Sequence, residues 1–166
     1  MTQNQYVSSP SRVQLMMEME KQFNLKNVAF FESLCEHKDN VIRTRSVCIL
    51  ANIGGENAVK SIASVLRKDS DALVRHEAAF SLGQLGFTSA LKPLLEAIET
   101  DPSLFVRHEA AIAVGVIGSE EGRLGLINAL NDPDEEVRES VKIALANLDY
   151  IASTNGNTEF SKMTGG

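Results

Sequence analysis

Four stretches of this chain carry apolar residues at helical spacing, and they follow one another at a nearly constant interval. They open at Ile42, Val74, Val106 and Val137, so the steps are 74 − 42 = 32, 106 − 74 = 32 and 137 − 106 = 31 residues. In each stretch Arg follows the opening residue, and small or apolar residues then recur on one helix face. A period of this length is typical of stacked helical repeats, so the pattern predicts four repeat units.

Each unit is expected to contain two antiparallel helices joined by a short turn. Apolar runs predict first helices over 58–66, 90–98 and 122–130. In the third unit Asp101 is expected to cap the second helix and Pro102 to occupy its first position. Asp132-Pro133 and Asp69 are expected to start the equivalent helices of the fourth and second units.

Glycine and arginine recur at equivalent points of the units. Glycine closes each of the first three units, at Gly54, Gly86 and Gly118. Gly83 and Gly115 fall inside second helices, where a missing side chain is expected to let the neighbouring helix approach closely. One arginine per unit is expected to bridge to the acidic turn of a neighbouring unit: Arg43, Arg75, Arg107 and Arg138.

These patterns predict an all-α fold, a right-handed α-solenoid of about four helix pairs with a continuous core. Residues 1–26 are expected to form an N-terminal capping segment, 27–151 the repeat domain and 152–166 a flexible tail. In the capping segment a helix over 11–23 is predicted to continue into 28–34. A cap over the first repeat is the preferred interpretation, and a dimer-forming helix is the alternative.

Composition narrows the class of protein. No apolar run approaches the length that crosses a bilayer, and the polar first residues lack a secretory segment, so a cytoplasmic location without membrane contact is expected. The formal net charge of −6 argues against nucleic-acid binding and favours a cationic partner. Cys35 and Cys48 lie in helical patterns and are expected to be buried, reduced thiols.

Two His-Glu pairs, His76-Glu77 and His108-Glu109, occupy the same position in the two central units. Equivalent atoms on packed helices lie about 10 Å apart, so long side chains from adjacent units can converge on one cluster. Mixed nitrogen and oxygen donors suit iron or manganese, and the absence of Cys beside them argues against a structural zinc site. The alternative is an exposed polar couple that was copied with the repeat.

The Val-Arg-His-Glu-Ala-Ala blocks that open at Val74 and Val106, together with the flanking repeats over 39–151, resemble one half of deoxyhypusine hydroxylase. That family is a HEAT-repeat di-iron monooxygenase, built from two halves that each carry two His-Glu motifs. It uses molecular oxygen as co-substrate to hydroxylate a deoxyhypusine residue on a translation factor. The resemblance therefore implies a HEAT-like solenoid and an iron pair between two halves. Single repeats also resemble the phycobilisome-lyase type of HEAT repeat, which lacks paired His-Glu.

The resemblance implies a role for each residue of the two pairs. His76, His108 and Glu109 match metal ligands, and Glu77 matches the carboxylate that faces the substrate amine. One chain holds half of the expected ligands, so a homodimer that shares two iron ions is expected. The protein substrate would bear deoxyhypusine. The alternatives are a di-iron protein with another substrate, an oxygen or peroxide sensor, and a non-catalytic HEAT scaffold that binds other proteins.

Overall fold

The computed structural model describes residues 10–154 and 156. Within them the chain forms nine α-helices and short 3-10 turns. The helices are α1 Pro10–Asn24, α2 Val28–Leu34, α3 Asn40–Ile53, α4 Ala58–Lys68, α5 Ala72–Leu85, α6 Leu91–Thr100, α7 Leu104–Ile117, α8 Arg123–Ala129 and α9 Glu135–Ser153. None of the helices in the described part of the chain has the length and apolar character needed to cross a membrane.

The helices form four antiparallel pairs that stack in two layers. One layer contains α3, α5, α7 and α9, each packed on the next, and the other contains α4, α6 and α8. The pairs are α2–α3, α4–α5, α6–α7 and α8–α9, and α1 precedes them. One hydrophobic core of buried, mostly aliphatic side chains runs through all four pairs. The predicted all-α solenoid of about four helix pairs is therefore confirmed.

The N-terminal helices differ from the prediction in one respect. Residues 11–23 and 28–34 do not form a continuous helix, because the chain turns between Asn24 and Val28, where Lys26 has a φ of 52°. The Asn27 side chain then accepts a hydrogen bond from the Phe30 N–H and starts α2. Met19 is buried, and Arg12 pairs with Asp39 at 2.6 Å, so α1 packs against the first repeat.

The second helices begin later than predicted. Asp101 does not cap α7 but ends α6, Pro102 lies in the turn, and the N-cap is Ser103. The Asp101 carboxylate instead accepts hydrogen bonds from the Ser103 N–H and from Arg75. The same shift occurs in the neighbouring units, where the N-caps are Asp71 and Asp134 rather than Asp69 and Asp132.

Three of the four repeat arginines bridge adjacent units as predicted. Each guanidinium donates two hydrogen bonds to an aspartate of the next unit, located at the end of that unit's first helix or in the turn that follows it. These pairs are Arg43–Asp69, Arg75–Asp101 and Arg107–Asp132. Arg138, in the last unit, instead donates to the backbone carbonyls of Asp132 and Pro133. The repeated two-pronged bond fixes the spacing between successive units.

Gly83 and Gly115 set the distance between the second helices. A Cβ on Gly83 would lie 2.8 Å from the Cβ of Ala113, and a Cβ on Gly115 would lie 2.8 Å from the Cα of Ala144. Both contacts are shorter than packed carbons tolerate, so the predicted close approach is confirmed. It brings α5 against α7 and α7 against α9, and the first two of these helices, α5 and α7, carry the His-Glu pairs.

Helix α9 extends to Ser153, which is two residues into the segment 152–166 that is expected to be a tail. Beyond that point the tail lies almost wholly outside the described residues, as do residues 1–9 of the capping segment.

Candidate metal centre

The two His-Glu pairs lie in the first half of α5 and of α7. Adjacent residues on a helix point about 100° apart, so the members of a pair have different surroundings. His76, Glu77 and His108 are half-buried, whereas Glu109 is 5 % exposed. Because α5 packs closely on α7, the Glu109 carboxylate lies between the two helices and faces α5.

His76 and Glu109 face each other across the two units. The Nε2 atom of His76 lies 3.5 Å from Oε2 of Glu109. Burial lowers the pKa of His76, Glu77 opposes that shift, and nearby His108 adds to it. Burial also raises the pKa of Glu109, with a further contribution from the charge of Glu77. Burial therefore favours the neutral form of each member of this pair, and the four side chains lie close enough to influence one another electrostatically.

His108 has a different partner. Its Nδ1 atom lies 2.5 Å from Oγ of Ser140 on α9. The same hydroxyl donates to the backbone carbonyl of Glu136, at 2.7 Å. Ser140 occupies in the fourth unit the position that Glu109 holds in the third, since the two are 31 residues apart. The partner of a repeat histidine is thus found at the glutamate position of the following unit.

Glu77 bonds a residue of the preceding unit rather than of the following one. The thiol of Cys48 on α3 donates a hydrogen bond to Oε1 of Glu77, at 2.6 Å. Partial desolvation of the sulfur and this carboxylate raise the pKa of Cys48 to about 12, so the sulfur remains protonated and can donate. Both cysteines are free thiols, as expected, but Cys48 is exposed whereas Cys35 is buried. The prediction that Cys48 is buried is therefore wrong: Cys48 remains exposed even though its sulfur bonds Glu77 on the neighbouring helix.

The imidazole nitrogens and carboxylate oxygens of the two His-Glu pairs are donors that suit a metal with mixed nitrogen and oxygen ligands. Two of these donors, on His76 and Glu109, already lie near each other. Neighbouring ligands bonded to one ion at about 2.1 Å lie about 3.0–3.4 Å apart, which is close to the separation of His76 Nε2 and Glu109 Oε2. In the described part of the chain no three His, Cys, Asp or Glu side chains converge on one point. The donors are thus of the kinds that iron or manganese accepts, and two of the three predicted ligands, His76 and Glu109, face each other without forming a three-residue cluster with His108.

The sequence did not identify Ser140 or Cys48 as part of the site. The sequence pattern predicts only that Cys48 is a thiol in a helix, and it assigns no role to Ser140. A signal for Ser140 existed in the 32-residue spacing itself. A side chain in one unit meets the side chain about one period later, so residues 108 and 140 are natural partners.

Comparison with known protein families identifies the family to which the repeats belong. A family model described as HEAT repeats matches residues 59–146, which is more than half of the chain. The chain belongs to the HEAT-repeat family. The matched HEAT segment runs from α4 into α9 and includes both His-Glu pairs. A comparison with curated protein sequences gave no significant match.

Among solved structures, the HEAT chain resembles human deoxyhypusine hydroxylase in complex with glycerol. The TM-score is 0.68 and the sequence identity is 33 %, over 74 % of this chain. The alignment covers 43 % of the human protein, so the HEAT chain spans less than half the length of that relative. The predicted resemblance to a deoxyhypusine hydroxylase-like HEAT protein is thereby confirmed.

Proposed function

We propose that this HEAT protein is a deoxyhypusine hydroxylase-like di-iron monooxygenase whose metal pair is shared by two copies of the chain. The observation that carries the proposal is the convergence of His76 Nε2 and Glu109 Oε2, 3.5 Å apart, on the two helices with the repeated motif. The 33 % identity with human deoxyhypusine hydroxylase supports the same assignment. The proposal covers three parts: the ligands, the second copy and the substrate.

The metal ligands would be His76, Glu109 and His108. His76 and Glu109 already face one another, and the lowered pKa of His76 favours the neutral imidazole, which is the form that binds a metal. Glu109 has its pKa raised by burial, so a dication beside it would relieve an unfavourable buried charge. His108 binds Ser140 through Nδ1, which leaves Nε2 as its donor.

A second copy would supply the other three ligands. The face that bears the histidines also exposes apolar side chains one turn before each of them. Leu73 is 63 % exposed and Phe105 is 66 % exposed. An isologous contact between two such faces would cover these side chains and place one ligand set opposite the other. The two-fold axis would then pass between the two metal positions.

The substrate would be a cationic aliphatic amine such as the side chain of deoxyhypusine. Glu77 is half-buried and accepts a hydrogen bond from Cys48 on one oxygen, Oε1. Its other oxygen is available to a substrate ammonium, and the low dielectric of a covered site would strengthen that pair. Glu77 would thus orient the amine, and the covered face would exclude water.

A bound iron pair would supply the reductive activation of molecular oxygen. One oxygen atom would enter a substrate C–H bond as a hydroxyl group and the other would leave as water, with an external reductant providing the electron pair. The chain itself would hold the ligands in register, orient the amine through Glu77 and keep His76 neutral.

The test is an assay on a protein that bears deoxyhypusine, with iron-loaded enzyme, a reductant and isotopically labelled oxygen. The proposal predicts that the substrate gains one labelled oxygen atom. Glu77→Gln should abolish the gain while iron remains bound, and His108→Ala should abolish both. If fully iron-loaded protein leaves the substrate unchanged, the substrate assignment is wrong.

The second candidate function is a non-catalytic HEAT scaffold. The exposed Leu73, Phe80 and Phe105 favour it, because apolar side chains on one face of a repeat array are typical of a protein-binding surface. A scaffold would bind its partner equally well with or without a chelator. It would also tolerate His76→Ala and lose binding on Phe105→Ala.

A further inference from the structure

We propose that Ser140 is a positioning residue that sets the tautomer and orientation of His108, so that Nε2 of His108 points away from α9 as a metal donor. This inference deepens the proposed function and rests on it for the role of His108 as a ligand. The part of the inference that concerns the tautomer of His108 is independent of the proposed function, because the tautomer can be measured in the metal-free protein.

The two hydrogen-bond contacts of the Ser140 hydroxyl, with Glu136 and with His108, determine which nitrogen of His108 carries the proton. A serine hydroxyl has a single proton. The Glu136 carbonyl can only accept, and it lies 2.7 Å from Oγ of Ser140. If the hydroxyl proton is used there, the contact of 2.5 Å with His108 is a hydrogen bond only when Nδ1 of the imidazole carries a proton and donates it. The arrangement that satisfies both contacts is therefore the Nδ1–H tautomer.

The consequence for His108 follows from imidazole chemistry. In the neutral ring a protonated Nδ1 leaves the lone pair on Nε2, and that nitrogen is then the donor available to a metal. Metal-bound histidines commonly donate their other N–H to a fixed acceptor, which orients the ring and defines the tautomer. Ser140 is well suited to this role, since it is only 2 % exposed and is anchored to its own helix.

The repeat pattern explains why serine rather than glutamate occupies this position. In the preceding step of the stack, the residue opposite His76 is Glu109, a carboxylate that meets Nε2. Opposite His108 the equivalent position holds Ser140, which meets Nδ1 and adds no charge. The same contact between units therefore serves two purposes. The contact between α5 and α7 places Glu109, a second ligand, beside His76. The equivalent contact between α7 and α9 holds the ring of His108 through Nδ1.

A matched control exists on α3. Ser46 is fully buried and donates to the carbonyl of Ile42 four residues earlier, at 2.8 Å, as Ser140 does to Glu136. Within residues 10–154 the Ser46 hydroxyl makes no hydrogen bond to a histidine. Ser46→Ala therefore removes the same helix-internal bond without touching the site.

The experiment combines two measurements on wild type, Ser140→Ala and Ser46→Ala. The side-chain nitrogen shifts of His108 are recorded by NMR on metal-free protein, well above the ordinary pKa of histidine. Affinity for Fe(II) is measured anaerobically by competition with a chromophoric chelator. We expect the Nδ1–H tautomer in wild type and in Ser46→Ala, and its loss in Ser140→Ala. We also expect a loss of Fe(II) affinity of about 10- to 100-fold in Ser140→Ala alone.

Two results would overturn the inference: a wild-type protein with the proton on Nε2 of His108, or a Ser140→Ala variant that matches Ser46→Ala in both tautomer and affinity. The proposed function can fail separately. If wild type binds no Fe(II) but Ser140→Ala still changes the tautomer, the positioning role of Ser140 stands and the metal assignment is wrong.

Discussion

The imidazole of His76 and the carboxylate of Glu109 face each other from adjacent repeats, with Nε2 and Oε2 3.5 Å apart. The contact joins the histidine of one unit to the glutamate of the next, rather than two neighbours in sequence. It depends on the spacing of α5 and α7, which in turn depends on the arginine bridges and on the glycine contacts.

The bridge between Arg75 and Asp101 should be a large contributor to stability. Both residues are about 9 % exposed, and the guanidinium makes two bonds to the carboxylate. Arg75→Ala would leave Asp101 buried without its cation, so we expect a loss of about 3 kcal/mol in the free energy of unfolding. Urea denaturation measures it.

Arg67→Ala is the control for that variant. The Arg67–Glu96 pair is exposed, so its loss should change the free energy of unfolding by less than about 1 kcal/mol. Equal effects of the two substitutions would refute the structural role of the buried bridge.

Gly83→Ala should loosen the contact between α5 and α7. The added methyl group would lie 2.8 Å from the Cβ and 2.9 Å from the Cα of Ala113, and the backbone cannot yield cheaply. We expect destabilisation of about 1–3 kcal/mol, although alanine is the better helix former. Gln84→Ala, at the adjacent exposed position, should be neutral or slightly stabilising. A stabilised Gly83→Ala protein would contradict the close approach.

Cys48 should react slowly for an exposed thiol. With its pKa raised to about 12, only about one molecule in 10⁴ carries the thiolate at pH 8. Glu77→Gln removes one cause of that shift, so the pKa should fall and alkylation should accelerate, while the remaining partial desolvation of the sulfur keeps the rate below that of a free thiol. The rate with iodoacetamide is measured in a Cys35→Ser background. Glu96→Gln, on an exposed glutamate elsewhere, should leave it unchanged, and an unaltered rate in Glu77→Gln would argue against the Cys48–Glu77 bond.

His76 should make the metal-free protein sensitive to acid. Its pKa in the folded state lies below the ordinary value of 6.5. Unfolding therefore takes up a proton between the two values, so the contribution is present above about pH 6.5 and is lost as the pH falls through the folded value. The free energy of unfolding of wild type should fall more steeply than that of His76→Gln below pH 6.5. Parallel curves would mean that burial does not shift the pKa of His76.

The period of the sequence predicted the fold, the arginine bridges and the glycine contacts, because each depends on a residue type that repeats at a fixed interval. The same period predicted the wrong helix starts. An aspartate such as Asp101 can cap a helix or pair with an arginine, and only the packed structure shows that Asp101 pairs with Arg75 while Ser103 is the N-cap of α7. The exposure of Cys48 and the link between His108 and Ser140 depend on side-chain directions across units. A helical pattern within one unit does not contain that information.

The most direct test of the central claim is native mass spectrometry of protein loaded with Fe(II) under anaerobic conditions, which reports subunit number and bound iron together. The account predicts a dimer that holds two iron ions, and a His108→Ala protein that holds none. A monomer, or a dimer without iron after this loading, would contradict the shared di-iron site and favour the HEAT scaffold.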